Sequence, residues 1–119
     1  MSEIKIRNML VTGDHTEKTV TIHDEQYKIR AISPTEERHI ALMRVRLAGN
    51  MPASSFTADE LYPFERAATV QNQVIESPEW FNVDTCLDVG VLDTLFSDIV
   101  QLTHNFQEAL KKNKLAKRG

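Results

Sequence analysis

The stretch Phe64–Phe81, FERAATVQNQVIESPEWF, combines a helical pattern, a proline stop and the only tryptophan of the chain. Its apolar residues recur at intervals of three and four, and a Thr57–Glu60 capping box precedes it, which together predict a helix of roughly five turns. The residue before a proline is biased away from the helical conformation, so Ser77-Pro78 should end this helix. The positions that mark this helix are Leu61, Phe64, Ala68, Gln71 and Ile75, with Ala67, Val70 and Val74 beside them. We expect this helix to be the centre of the fold.

Two short runs of alternating apolar and polar residues precede the central helix, at Thr19–His23 and Gln26–Arg30. They flank the dipeptide Asp24-Glu25, and this arrangement predicts a β-hairpin. The apolar positions expected on one face of the hairpin are Val20, Ile22, Tyr27 and Ile29. A looser alternation over residues 4–11 offers a third strand. Residues 1–32 are therefore predicted to form a β-rich segment.

Two further amphipathic helices are predicted on either side of the central one. Ser33 and Glu36 form a capping box around Pro34, and the apolar positions that follow are Ile40, Met43 and Leu47, with Leu42 or Ala41 beside them. The last helix should begin near Asp88 or Val89 and has the clearest amphipathic pattern of the chain. Its apolar positions include Leu92, Leu95, Ile99, Leu102 and Phe106.

The predicted architecture is therefore an α+β single domain over residues 1–119. An N-terminal β-hairpin, with or without a third strand, packs on a helical body of three amphipathic helices at residues 33–110. Lysine and arginine residues dominate positions 111–119. We expect this basic tail to be a frayed, solvated helix end, because it has little apolar surface to bury.

Composition and charge limit the classes of protein that the chain can belong to. Its 119 residues, 41% hydrophobic and 26% charged, are typical of one globular domain. A net charge of −3 argues against nucleic acid as the main partner, because such binding needs a basic surface. The single cysteine, Cys86, excludes an internal disulfide, and no apolar run is long enough to span a membrane. These features predict a cytoplasmic protein with no membrane partner.

The residues that could carry chemistry do not assemble into a recognisable catalytic or metal site. Glu36 and His39 have the spacing of a di-iron helix motif, but the chain lacks the second such motif that the site needs. Cys86 lies between Asp84 and Asp88, which disfavour a reactive thiolate. The glycines are isolated and form no phosphate-binding loop. We therefore predict a protein that is not an enzyme and uses no cofactor or metal.

Trp80 and Phe81 have two interpretations. They either plug the junction between the two long helices, or one of them anchors a partner, because tryptophan is enriched at binding hot spots. Other candidates are two apolar residues in the loop after the first helix and the apolar side chains of the last helix, which could also support a homo-oligomer. The predicted partner-binding residues are Met51, Phe56, Trp80, Phe81, Leu95, Ile99, Leu102 and Phe106.

The order of motifs resembles that of small tail-assembly proteins of tailed bacteriophages, and of the tail assembly chaperones in particular. The similarity covers residues from about Thr19 to Lys112. The segments that carry it are the hairpin, the SPTEER helix start at 33–38, ERAATV at 65–70, ESPEWF at 76–81 and NFQ at 105–107. The Ala-Ala-Thr-Val segment followed by Ser-Pro-Glu-Trp-Phe is its most specific part.

The resemblance implies a non-enzymatic function in the infected bacterial cytoplasm. Such a chaperone binds the long helical tape-measure protein, keeps it in solution and helps tail-tube subunits to polymerise around it. An alternative of a different class is a structural subunit that stays in the virion, such as a baseplate, neck or tail-completion component. The family has no catalytic residues, so the resemblance assigns no reaction to the chain.

Overall fold

The computed structural model describes residues 17–118, and the side chains of residues 17–112. In chain order its elements are β1 (Glu17–Ile22), β2 (Glu25–Arg30), α1 (Pro34–Leu47), a short 3-10 turn (Ala53–Ser55), α2 (Ala58–Gln73), β3 (Val74–Glu76) and α3 (Val89–Arg118). The three strands form one antiparallel sheet in the order β1-β2-β3. The predicted α+β fold, with a hairpin followed by three helices, is confirmed. The strand predicted over residues 4–11 lies outside the described residues.

The hairpin turn lies one residue earlier than predicted. Ile22 pairs with Glu25, so His23 and Asp24 form the two-residue loop, and both have positive φ angles, 53° and 64°. Positive φ angles at both loop positions are typical of the hairpin turn whose twist matches that of the flanking strands. The predicted face is confirmed, because Val20 lies opposite Tyr27 and both join the core with Ile29.

The third strand comes from the end of the central helix. The prediction that this helix continues to Ser77-Pro78 is wrong: α2 ends at Gln73, and Val74 is extended with φ −87° and ψ 110°. Val74 then lies opposite Ile29 on the second edge of β2. Two reasons favour the strand: β-branched residues suit a pleated sheet, and an unpaired strand edge leaves backbone groups without partners.

The core lies where α3 packs on α2 and on one face of the sheet. It contains Val20, Tyr27, Ile29, Val70, Val91, Leu92, Leu95 and Ile99. The buried residues of α2 are Ala68, Thr69, Val70 and Gln73, whereas Gln71 and Ile75 among the predicted positions are exposed. Ala68 and Val70 were predicted positions, so the buried face of α2 agrees with the prediction there and differs from it at Gln71 and Ile75.

Helix α1 is anchored by its first turn and by a single buried side chain. The predicted capping box is present: Ser33 Oγ accepts from the Glu36 backbone N–H, and the Glu36 carboxylate accepts from the Ser33 N–H. Ile40 is the buried residue of this helix, while Met43 is half-buried and Leu47 is exposed. Much of the apolar surface of α1 therefore faces outward.

A polar cluster links the sheet to α1 and α2. The Gln73 side chain is fully buried, and its Nε2 donates to the backbone carbonyls of Arg30 and Ala31 at 3.1 and 3.0 Å. The Arg30 guanidinium forms an ion pair with Glu36. Gln73 therefore holds the point where the chain leaves β2 and turns towards α1.

Helix α3 is a long element that is anchored in its first half. Its 30 residues correspond to a length of about 45 Å. Thr103 Oγ1 accepts a hydrogen bond from the Ile32 N–H at 2.9 Å, and the last buried residue before it is Ile99. The helical backbone continues beyond residue 110, the limit predicted for the helical body, to Arg118. Across residues 17–118, no helix has the length and hydropathy needed to cross a membrane.

Candidate functional site

The segment between β3 and α3 returns to the turn of the hairpin and presents Trp80 there. The Trp80 indole is 54% exposed, and its Nε1–H donates to both carboxylate oxygens of Glu25, at 3.0 and 3.1 Å. Its ring also contacts Phe81 edge-on, with 5.9 Å between the centroids. The indole is therefore held in one orientation while about half of its surface faces solvent.

Phe81 has a different environment from its neighbour. It is half-buried, packs against the core and meets the Tyr27 ring edge-on at 5.3 Å. Burial is the main reason that the pKa of Tyr27 is raised, and the nearby Glu25 carboxylate adds to the effect. Phe81 thus attaches the segment to the hairpin. The sequence suggested the same two roles for Trp80 and Phe81, but in the structure Phe81 contacts the core and Trp80 is exposed.

The Glu25 carboxylate contacts the exposed indole, and further acidic residues occur in the hairpin turn and in the segment that carries Trp80. Asp88 lies 3.5 Å from His23 in the hairpin turn, which brings the end of the segment close to the Trp80–Glu25 contact. Leu87, beside Asp88, is 96% exposed. We define the acidic patch as Trp80, Leu87, Asp24, Glu25, Glu79, Asp84 and Asp88. No lysine or arginine occurs between positions 67 and 110, so this part of the sequence supplies no cation to the patch.

A second apolar surface lies on the outward side of α1. Leu42 and Val45 are exposed, with 51% and 42% of their surfaces accessible, and they are one turn apart on the face opposite Ile40. Arg38 and Arg46 lie on the same face and are also exposed. We define the basic face as Arg38, Leu42, Val45 and Arg46. Among the side chains that the structure describes, neither arginine has a carboxylate within 4.0 Å.

The structure separates the predicted partner-binding residues into accessible and buried groups. Leu95 and Ile99 are fully buried in the core, so they cannot contact a partner while the domain is folded. Met51 and Trp80 are exposed. The half-buried residues are Phe56, Phe81, Leu102 and Phe106. Phe56 packs on Phe64 with 5.8 Å between the ring centroids, so it joins the helical body.

Two of the residues considered for metal or thiol chemistry, Glu36 and Cys86, have structural contacts. Glu36 is engaged by Ser33 and Arg30, while His39 on the same helix is exposed. In residues 17–112 no group of three histidine, cysteine, aspartate or glutamate side chains is placed to hold a metal ion. Cys86 is half-buried against the core, and its Sγ lies 3.5 Å from the Asp88 carbonyl.

One polar network joins α2 to α3 outside the core. Asp93 accepts hydrogen bonds from the Tyr62 hydroxyl at 2.8 Å and from Arg66 at 2.9 Å, and the guanidinium lies over the Tyr62 ring. The hydrogen bond from Arg66 is the main reason that the pKa of Asp93 is lowered. Burial, and then the Asp93 hydrogen bond, raise the pKa of Tyr62. This arrangement fixes the two helices and presents no free nucleophile.

A groove of about 260 Å³ lies next to the acidic patch, between the end of α2 and the segment that follows β3. Its walls are Val70, Gln71, Val74, Ser77, Phe81, Asn82, Val83 and Asp84. It has the size and mixed polarity to accept a side chain from a partner beside Trp80.

Neither Leu87 nor the outward pair on α1 appeared among the predicted contacts. The only sequence signal for Leu87 is a large apolar residue in an acidic segment without helical periodicity.

Comparisons with protein-family models, with curated proteins and with solved structures found no match to this chain.

Proposed function

We propose that the chain is a non-enzymatic tail assembly chaperone of a tailed bacteriophage, which binds the tape-measure protein and assists assembly of the tail tube. The observation that supports this proposal is Trp80, an exposed indole held in a fixed orientation within an acidic, partly apolar patch. The resemblance of residues 76–81 to tail assembly chaperones is the reason for proposing the tape-measure protein as the partner. The infected bacterial cytoplasm is the proposed location.

Trp80 has the properties of an interface anchor. An indole supplies a large contact area, and its Nε1–H is already paired with Glu25, so docking of an apolar residue beside the ring does not leave the N–H without a partner. The carboxylates around it favour a partner helix with lysine or arginine beside its apolar stripe. Charge of this kind increases the association rate and selects the orientation of the partner.

Substitution Trp80→Ala separates binding from folding. Removing a fully buried tryptophan costs about 3–5 kcal/mol, so the half-exposed Trp80 should cost about 1–2 kcal/mol, well within the usual stability of a small domain. The variant should therefore fold and lose its partner. Val100→Ala is the matched control, because Val100 is an exposed apolar residue on α3 outside the acidic patch.

The assay is co-expression of each variant with the tape-measure protein from the same genome. We expect the wild type and Val100→Ala to co-purify with that protein and to raise its soluble yield, and Trp80→Ala to do neither while keeping its circular dichroism spectrum. A wild-type chain that neither co-purifies nor raises the yield would refute the proposed function. An unfolded Trp80→Ala variant would assign the indole to the core.

The alternative is a structural subunit of the virion. The observation in its favour is the presence of two apolar surfaces of opposite charge, a feature suited to a subunit that contacts neighbours on two sides. Mass spectrometry of purified virions distinguishes the two functions. A chaperone should be absent from the finished particle, whereas a structural subunit should be present in a constant ratio to the tube protein.

A further inference from the structure

The groove beside Trp80 is lined by apolar side chains that the fold holds in place. Val70 is fully buried, and Val74 lies opposite Ile29 in the sheet. Phe81 and Val83 pack against the core, and Phe81 also meets the Trp80 ring edge-on at 5.9 Å. A ligand that enters a groove with fixed walls loses little affinity to ordering of the protein. The groove is therefore a preformed recess directly beside the exposed indole.

The turn that follows Phe81 fixes the position of a carboxylate-bearing residue at this groove. The Asp84 N–H donates to Asn82 Oδ1 at 2.9 Å, and the Cys86 N–H donates to the Asn82 carbonyl at 2.9 Å. Asparagine stabilises a turn in this way by bonding the backbone two residues further on. Asp84 lines the groove and is exposed to solvent. Its backbone is thus ordered before any partner binds.

The Asp84 carboxylate has no cation beside it. Among the side chains that the structure describes, no lysine, arginine or histidine lies within 4.0 Å of it. Two exposed side chains that can also accept hydrogen bonds, Gln71 and Ser77, line the same groove. The groove thus combines apolar walls with one negative charge and further oxygen acceptors.

The size and chemistry of the groove fit a lysine side chain. Its volume of about 260 Å³ lies below the roughly 300–1,000 Å³ of most small-molecule sites, so it suits one side chain. Lysine packs its four-carbon stem along apolar surface while its ammonium group stays in a polar environment. The ammonium has three donors and no acceptor, which matches the carboxylate and the neighbouring oxygens. A purely apolar side chain would leave these acceptors unused.

We propose that this groove binds a lysine side chain of the partner helix, with the stem on the valine and phenylalanine walls and the ammonium at Asp84. The inference rests on the proposed function for the nature of the partner, and it adds the side chain that the partner must present. A helix that docks on Trp80 should therefore carry a lysine next to the apolar residue that contacts the indole.

NMR titration of the ¹⁵N-labelled full chain with blocked single amino acids provides the test. The probes are the N-acetyl methylamides of lysine, norleucine and arginine. Norleucine has the same four-carbon stem without the ammonium. We expect the lysine derivative to shift the amide signals of Val74, Phe81 and Val83 and to bind about threefold more tightly than the norleucine derivative at low salt. At 1 M salt, where charges interact over roughly 3 Å, this preference should decrease.

Asp84→Asn removes the negative charge with little change in side-chain size. It should abolish the preference for lysine over norleucine and leave norleucine binding unchanged. Asp59→Asn is the matched control, because it removes the same charge at an exposed position outside the groove. The control should keep the preference of the wild type. Circular dichroism checks that both variants fold.

Several results would overturn the inference. These are an absence of shifts at the groove, norleucine binding as tight as lysine binding, tighter binding of the arginine derivative, or an Asp84→Asn variant that still prefers lysine. The titration contains no tape-measure protein, so its failure leaves the co-expression result standing. Equally, a failed co-expression would refute the proposed function while the lysine preference of the groove could still be measured.

Discussion

The buried amide of Gln73 gives the most direct test of how the sheet is joined to the helices. Its Nε2 donates to the carbonyls of Arg30 and Ala31, while its Oε1 is buried and has no partner among the described residues. Substitution Gln73→Met keeps the side-chain length and removes both the donor and the acceptor. The variant therefore measures the two donated bonds with little change in volume.

The expected cost follows from counting the polar groups that lose or regain a partner. Each buried carbonyl left without its donor costs about 1–3 kcal/mol. Removing the unpaired Oε1 eliminates an existing cost of similar size, which partly offsets this loss. The net destabilisation should be about 2 kcal/mol. For a domain of this length, 1 kcal/mol corresponds to a shift of about 4 °C in the melting temperature, so Tm should fall by about 8 °C.

Urea denaturation followed by circular dichroism, together with a thermal melt, measures this effect. The matched control is Gln71→Met, the same chemical change at an exposed position of α2 two residues earlier, which should alter stability by less than about 0.5 kcal/mol. If the two variants have the same stability, Gln73 does not hold the end of β2, and the polar cluster has no role in joining the sheet to the helices.

Three further predictions concern the turn, the cap and the core. Asp24→Gly should stabilise the protein by about 0.5–1 kcal/mol in equilibrium denaturation, because glycine adopts the positive φ of 64° without a side-chain penalty. Leu95→Ala should destabilise by about 2–5 kcal/mol in the same assay, since its side chain is fully buried. Glu36→Gln should cost about 2 kcal/mol at pH 7. Burial raises the pKa of Glu36, but the Ser33 hydrogen bonds and the Arg30 guanidinium outweigh burial and hold the pKa below the usual value for a glutamate. The carboxylate therefore stabilises the fold fully above the unfolded pKa, and this contribution is lost as pH falls through the folded one, so a stability difference that persisted at pH 2 would contradict the assignment.

Local sequence signals predicted the parts of the fold that depend on neighbouring residues. Both capping boxes, the hairpin face and the start of α3 follow from side chains a few positions apart, and all are present. The end of α2 depends instead on a distant strand. Val74 leaves the helix because β2 offers it a ladder partner, Ile29, and no local pattern contains that information.

The candidate site shows the same division. The sequence marked Trp80 and Phe81 as a pair, but their different exposures depend on Tyr27 and Glu25, which are more than fifty positions away. Periodicity identified the apolar side of α3, and the structure places Leu95 and Ile99 in the intramolecular core. Periodicity alone cannot distinguish an apolar residue that faces the core from one that faces a partner, which explains why the outward surface of α1 was missed.

The position of β3 has a kinetic consequence. Gln73, at the end of α2, and Arg30, at the end of β2, are 43 positions apart, and closing a loop of this length costs on the order of 3 kcal/mol before any contact forms. A two-stranded hairpin alone is marginally stable in water, so β1 and β2 should gain most of their stability only when β3 pairs with β2. During synthesis the ribosome must release residues through Glu76, and then Ile99, before the sheet and its covering helix can close. The emerging chain therefore stays open to unwanted strand pairing until most of it has been made.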